Sequence, residues 1–277
     1  DFCLSRGLGD VYKRQIYKIA RLELSNLFYS PVAWFILVLF VFMTGMMMGG
    51  QLEYLTRQQE LMGGKSLGVS WILFFSNFSG VWPKISQWFY LILPLLTMGL
   101  ISQEFNRGSI KLLFSAPISG RHIVLGKYFG IMLYGLVMML ILLGVMVVIG
   151  IRVEAFEWRA VLTGLLGLYL LFGLYAAVGL FISTLTNYPI VAAISMIFLL
   201  GFLGFISTLW QEFAFVRDVT YWMALGNRVN SFIGGMICSE DVIYFVIMSV
   251  MFICFATLKL KFCLLYTSPS PRDRQKS

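Results

Sequence analysis

The sequence predicts an all-α integral membrane protein with six transmembrane helices, and two observations support this fold class. Of the 277 residues, 59% are hydrophobic and only 12% are charged, with a mean hydropathy of +0.85, whereas soluble domains carry about 25% charged residues. About 20 apolar residues suffice for a helix to cross the ~30 Å hydrocarbon core of a bilayer. Five stretches contain no charged residue at all: 31–50, 85–102, 128–151, 160–211 and 242–258.

The longest uncharged stretch must cross the membrane twice. It has 52 residues and would reach about 78 Å as one helix at ~1.5 Å per residue. We place the hinge between Ser183 and Pro189, where polar residues and a proline interrupt the helical pattern. The predicted spans are therefore about 31–50, 85–101, 128–151, 160–183, 189–210 and 242–259.

An amphipathic helix is predicted before the first span. Its apolar residues recur at helical spacing, and Lys18, Arg21 and Ser25 occupy the rest of the wheel. Such a helix lies on the inner membrane surface and ends at Ser30-Pro31; the alternative is the start of a longer first helix. The apolar positions are Ile16, Ile19, Ala20, Leu24, Leu27 and Phe28.

Three further segments need separate interpretation. The apolar stretch from Leu67 to Pro83 is short and rich in Ser, Gly and Asn, which favours an interfacial or re-entrant helix on the outer side over a seventh span. Segments 1–15 and 263–277 resemble translated adapter sequence and are predicted to be non-native, with a genuine basic tail as the alternative. The native membrane domain is then 16–262.

Charge distribution predicts the orientation. An even number of spans places both ends and every second loop of the native part on one side, which holds eight basic residues and only two acids, Glu23 and Glu104. The opposite side holds seven basic and eight acidic residues. Because Lys and Arg concentrate in short cytoplasmic segments, both termini are predicted to be cytoplasmic. The formal charge of +8 follows this topology and the chain ends, and no nucleic-acid partner is predicted.

The spans argue against several function classes. An ion-coupled carrier normally needs a carboxylate, His or Lys at membrane depth, and the five uncharged stretches that form the predicted spans contain no Asp, Glu, Lys, Arg or His. The single histidine, His122, has no companion for a metal or hydrolase site, and Met46 to Met48 fit packing better than copper binding. The sequence from Gly120 to Tyr128 departs from a phosphate-binding loop in spacing and in its last residue. We therefore predict no catalytic, cofactor or metal site on this chain.

The longest inner loop, 102–127, has the most distinctive sequence. It predicts a helix extension, a break at Gly108, a short apolar helix from Ile110 to Phe114, a stop at Pro117 and a cap at Ser119. A short amphipathic helix that projects from a membrane domain is a suitable contact for a cytoplasmic partner.

The residues of this loop resemble the permease subunits of ABC type-2 transporters. Other blocks resemble the branch related to gliding-motility and nitrous-oxide-reductase accessory permeases, and the resemblance covers nearly all of 16–262. The loop pattern comprises Glu104, Arg107-Gly108-Ser109, Leu112-Leu113, Ala116-Pro117-Ile118-Ser119 and Gly126-Lys127. The other blocks are Ser30 to Ala33, Leu93 to Met98, Gly179 to Asn187 and Asp241 to Tyr244.

The resemblance implies a six-span subunit of the bacterial inner membrane that pairs with a second permease copy or a paralogue. A separate ATPase subunit would bind ATP and Mg²⁺ and contact the short cytoplasmic coupling helix. The alternative for each contact residue is ordinary capping or pairing with lipid headgroups. The implied contact residues are Glu104, Arg107, Gly108, Ser109, Lys111 and Pro117.

Three functions remain open at this point. The first is the membrane subunit of an ATP-driven exporter. The second is a non-transporting relay or scaffold of an envelope machine for gliding, secretion or copper-site maturation, and the third is a secondary carrier. The substrate cannot be deduced from the sequence, because the predicted spans contain mainly apolar and small side chains.

Overall fold

The computed structural model describes residues 2–61, 80–106, 108, 120–152, 156, 158–205, 228–229, 231–232 and 236–267. Across these ranges the secondary structure is helical, with no strand. In chain order the helices are α1 (Phe2–Tyr29), α2 (Pro31–Leu61), α3 (Val81–Thr97), α4 (Ser102–Asn106), α5 (Gly120–Arg152), α6 (Trp158–Leu185), α7 (Pro189–Phe205) and α8 (Ser239–Thr267).

Five helical stretches are long and apolar enough to cross a membrane, and the predicted all-α membrane fold is confirmed. They are Pro31–Tyr54, Val81–Asn106, Gly120–Ile151, Trp158–Leu185 and Ser239–Phe262. The predicted fifth span, 189–210, corresponds to the shorter apolar helix Pro189–Gly204, and its last residues lie outside the described ranges. The predicted hinge is also present, since residues 186–188 separate α6 from α7.

A break at Ser30 separates α1 from α2, so the amphipathic segment is a helix of its own. Pro31 has no N–H to donate to the Leu27 carbonyl, which accepts from the Ser30 N–H instead (3.1 Å). The indole N–H of Trp34 donates to the carbonyl of Phe28 at 2.6 Å. The side chain of Trp34 therefore satisfies one of the carbonyls that the end of α1 leaves open.

Two glycines bring α1 against the first turns of α5. A Cβ atom at Gly126 would lie 2.5 Å from Ile19 Cγ2, and one at Gly130 would lie 2.8 Å from Glu23 Cβ. Neither distance leaves room for a larger residue, so the two helix backbones approach closely only because both positions are glycine. This packing places Glu23 beside Lys127.

Helix α6 lies at the centre of the bundle, packed against α3, α5, α7 and α8. Glycines again allow neighbouring helices to approach α6 closely. A Cβ atom at Gly179 would lie 2.2 Å from Thr97 Oγ1 on α3, and one at Gly135 on α5 would lie 2.3 Å from Phe172 Cε1. The main cluster of buried apolar side chains surrounds α6 on these sides.

Several predicted boundaries differ from the structure. Helix α3 begins at Val81 instead of residue 85, so Trp82 and Pro83 belong to its first turn and not to an interfacial segment, and Trp82 is fully buried against Gly164. The rest of that predicted segment, 67–79, lies outside the described residues. Helices α1 and α8 extend into 1–15 and 263–277, whose non-native character stays a prediction.

Candidate functional site

Two of the six predicted contact residues fall within the described part of the chain. Glu104 lies in α4, and Gly108 follows the end of that helix with φ of +68°. This left-handed conformation favours glycine, which agrees with the predicted break at Gly108. Arg107, Ser109, Lys111 and Pro117 lie outside the described residues, as does the predicted short helix.

Glu104 is one member of an ion cluster that joins three helices. Its Oε1 lies 2.8 Å from Nζ of Lys127 on α5. The same ammonium donates to Oε1 of Glu23 on α1. We call Glu23, Glu104 and Lys127 the Lys127 cluster; it connects the segment before the predicted coupling loop, the helix after that loop and the amphipathic helix.

The Lys127 cluster is largely shielded from solvent. The exposed fractions of the side chains are 4% for Lys127, 14% for Glu23 and 24% for Glu104. Removing an ammonium from water is costly, and two carboxylates held against it offset that cost. Without Lys127, the two shielded carboxylates would lose the counterion that they share.

A second contact fixes the turn that precedes Glu104. The backbone N–H groups of Ile101 and Ser102 each donate to Ser183 Oγ at 3.0 Å, and Ser183 Oγ donates to the carbonyl of Met98 at 3.3 Å. The hydroxyl thereby uses one donor and two acceptor positions. The two N–H groups stand at the start of α4, where no helical partner precedes them. The Ser183 hydroxyl on α6 therefore accepts the two hydrogen bonds that carbonyls of a continuous helix between α3 and α4 would otherwise accept.

The Ser183 contact and the Lys127 cluster together hold α4 in place. Ser102 and Ser183 are both fully buried, so the α3–α4 turn is held against α6. Glu104, two residues farther along the chain, is held against α5 and α1 by the Lys127 cluster. A displacement of α4 would therefore be transmitted to α5 and α1 through the Lys127 cluster and to α6 through the Ser183 hydroxyl.

A separate ion pair lies near the start of α8. Arg228 Nη1 is 2.8 Å from Oδ1 of Asp241, and its guanidinium carbon lies 4.4 Å from the centre of the Tyr244 ring. Both charged residues belong to the set that the sequence assigns to the outer side. Among the described residues, no group of three or more His, Cys, Asp or Glu side chains lies close enough to hold a metal ion.

From the sequence alone, Glu104 is a predicted contact residue, whereas Glu23 and Lys127 are not among the predicted site residues. A signal for them was present, because Glu23 and Glu104 are the only two acids in the basic set of loops. Two isolated acids among eight basic residues indicate that each acid forms an ion pair with a particular basic residue. The basic partner could not be chosen without the structure, since Glu23 and Lys127 are 104 residues apart.

Comparison with known protein families shows the family to which this chain belongs. The family model described as "ABC-2 family transporter protein" matches residues 17–258. This match covers most of the chain, and the protein belongs to the ABC-2 transporter family. Members of this family are multi-pass membrane subunits of transporters and are not themselves catalytic.

One curated relative shares a short stretch with this chain. The uncharacterized protein YhcI of Bacillus subtilis (strain 168) is 42% identical over 48 residues, which are 17% of this chain and 15% of that protein. The similar stretch is thus a small part of both proteins. The likeness to gliding-motility and nitrous-oxide-reductase accessory permeases stays a prediction.

Proposed function

We propose that this chain is the membrane-spanning permease subunit of an ATP-driven exporter, and that a separate ATPase subunit contacts the segment after α4. The proposal combines membership of the ABC-2 family with the absence of a phosphate-binding loop from the sequence. The subunit would act with a second permease copy or a paralogue in the bacterial inner membrane, with both termini in the cytoplasm.

The Lys127 cluster is the observation on which this proposal mainly rests. Glu104 and Lys127 lie near the two ends of the inner loop 102–127 and are joined by a contact of 2.8 Å. A push on the loop would therefore move α4 and α5 together instead of bending the chain between them. Glu23 extends the same movement to α1.

The Ser183 contact supports a second path for the same movement. Because α4 starts on two N–H groups held by one hydroxyl of α6, it can pivot without breaking a continuous helical hydrogen-bond ladder. Helix α6 contacts α3, α5, α7 and α8. ATP-driven closure of two ATPase subunits would thus be transmitted to most of the bundle.

Co-purification tests the partnership. The chain would be co-expressed with a candidate ABC ATPase subunit from the same genome and isolated through an affinity tag. We expect the ATPase to co-purify with the wild-type chain and to be lost from the double variant Arg107→Glu, Lys111→Glu. A matched control is Arg57→Glu, which reverses a highly exposed charge assigned to the opposite side and should retain the ATPase.

Two results would contradict the proposal. One is failure of any nucleotide-binding subunit to associate with the wild-type chain. The other is unchanged association in the double charge-reversal variant. ATP hydrolysis by the reconstituted complex gives a second readout, which should fall in Glu104→Gln while the ATPase still co-purifies.

A further inference from the structure

A polar cavity of about 470 Å³ opens beside the Lys127 cluster. It is bounded by the end of α1, the start of α2, the last turns of α3, and α4, with Lys127 contributed by α5. Asn26 and Gln103, both exposed, add amide groups to its lining. The cavity is therefore accessible from outside the bundle and carries charged and neutral polar groups together.

The charge of this cavity favours a cationic group. The Lys127 cluster combines two carboxylates with one ammonium, so its three side chains carry a net charge of −1. A carboxylate accepts several hydrogen bonds at once, and charge-assisted bonds to ammonium groups are stronger than neutral ones. An added ammonium with its own N–H donors would balance the charge in a partly shielded position.

The apolar side of the cavity indicates that the occupant has a hydrocarbon chain. Val32 and Leu95 line it and are 49% and 48% exposed, and Leu91, one turn before Leu95 on α3, is 52% exposed. On a membrane protein such side chains face lipid. Leu95 in the lining and Leu91 one turn away on α3 therefore offer an acyl chain an exposed apolar surface beside the cavity, from which a water-soluble amine would gain nothing.

We infer that this cavity binds a zwitterionic membrane lipid whose headgroup carries a primary ammonium. The ammonium donates to the carboxylates of Glu23 and Glu104, the phosphate accepts from the amide groups of Asn26 and Gln103, and an acyl chain follows Leu95 and Leu91. Lys127 lies immediately before the predicted span 128–151, so the headgroup sits at the depth of the inner membrane surface. This inference does not depend on the proposed ATPase partner.

Comparison of three phospholipid headgroups shows which lipid this cavity should prefer. Phosphatidylcholine has a quaternary ammonium that cannot donate an N–H bond, and phosphatidylglycerol has no ammonium and would bring a net negative charge to an acidic cavity. We therefore expect phosphatidylethanolamine to bind best. Two charge-assisted hydrogen bonds would make its affinity at least about tenfold higher than that of phosphatidylglycerol.

Native mass spectrometry of the delipidated chain in detergent, with short-chain lipids added in equal amounts, measures this preference. We expect Asn26→Trp, which places a large ring at the mouth of the cavity without altering the cluster, to abolish the preference. Glu23→Gln should weaken it by removing one acceptor charge. The matched control Ile194→Trp adds the same ring at an exposed position on α7 and should preserve it.

The outcomes separate the possible ligands. Equal retention of phosphatidylethanolamine and phosphatidylglycerol by the wild-type chain would overturn the inference, as would a preference that persists in Asn26→Trp. Soluble glycerophosphoethanolamine serves as a competitor without acyl chains. If it displaced the lipid at equal concentration, the acyl path would contribute nothing and the lipid assignment would be wrong.

Discussion

Glu104 and Lys127 lie 2.8 Å apart across the base of a loop whose described ends belong to different helices. These side chains are 23 residues apart in sequence, and Glu23 of α1, the helix that packs against α5, pairs with the same ammonium. The Lys127 cluster is thus one of two polar attachments of α4 to the bundle, the other being the Ser183 contact. The stability that the Lys127 cluster contributes can be measured directly.

Replacing Lys127 by Met should destabilise the protein strongly. The change leaves two shielded carboxylates without their counterion, and breaking a buried ion pair in this way costs about 3–5 kcal/mol. The midpoint of thermal unfolding in detergent measures the loss. Adding Glu23→Gln to Lys127→Met should recover part of it, because the double variant has one unpaired charge fewer.

The pair Arg57 and Glu53 provides the control for this prediction. Its atoms lie 2.7 Å apart, but the side chains are 73% and 65% exposed. An exposed pair of this kind contributes up to about 1 kcal/mol. If Arg57→Met lowered the unfolding midpoint as much as Lys127→Met, the Lys127 cluster would have no special structural role.

The sequence predicted the approximate positions of the five candidate spans and of the shorter apolar helix Pro189–Gly204, because long uncharged apolar runs are stable as helices mainly inside a bilayer. It was less accurate where a charge is buried. The predicted cap at Ser119 agrees with the start of α5 at Gly120. The charge of Lys127 suggested a loop residue, however, whereas Lys127 lies in this helix and is paired inside the bundle. The contact of Ser183 with Ile101 and Ser102 could not be predicted either, because a hydrogen bond from a backbone N–H to a distant hydroxyl leaves no periodic pattern in the sequence.

Replacing Ser183 by Ala should loosen the turn between α3 and α4. The N–H groups of Ile101 and Ser102 would lose their acceptor, and a buried donor left without a partner costs about 1–3 kcal/mol. Hydrogen–deuterium exchange followed by mass spectrometry should show faster exchange at these two amides, by at least about fivefold.

Ser195→Ala is the matched control for Ser183→Ala. The Ser195 hydroxyl donates to the carbonyl of Val191 in its own helix at 2.7 Å and is exposed. Removing it should leave exchange at residues 101 and 102 unchanged. Restoration of slow exchange by Ser183→Thr, which keeps the hydroxyl, would attribute the effect to the hydrogen bonds. Unchanged exchange in Ser183→Ala would contradict the role assigned to Ser183.

Replacing Gly179 by Ala should separate α3 from α6. The added methyl group would lie 2.2 Å from Thr97 Oγ1, so one helix must move, at a cost of about 1–3 kcal/mol for overpacking. Gly144 on α5 has no neighbouring atom within 4 Å of the same position. Gly144→Ala should therefore leave the unfolding midpoint unchanged or raise it slightly, and similar shifts in the two variants would refute the packing argument.

Labelling of single cysteines with a membrane-impermeant maleimide tests the predicted orientation. Cys238 is exposed and precedes α8, on the side that the sequence assigns to the outside. In a chain whose Cys3, Cys254 and Cys263 are replaced by Ser, Cys238 should react in intact cells.

The complementary variant carries Cys238→Ser as well and Asn26→Cys at the exposed end of α1. We expect it to react only after the membrane is permeabilised, because α1 and Cys238 are separated by five predicted spans. Reaction of both cysteines in intact cells would place an even number of crossings between them, which would contradict the predicted six-span topology.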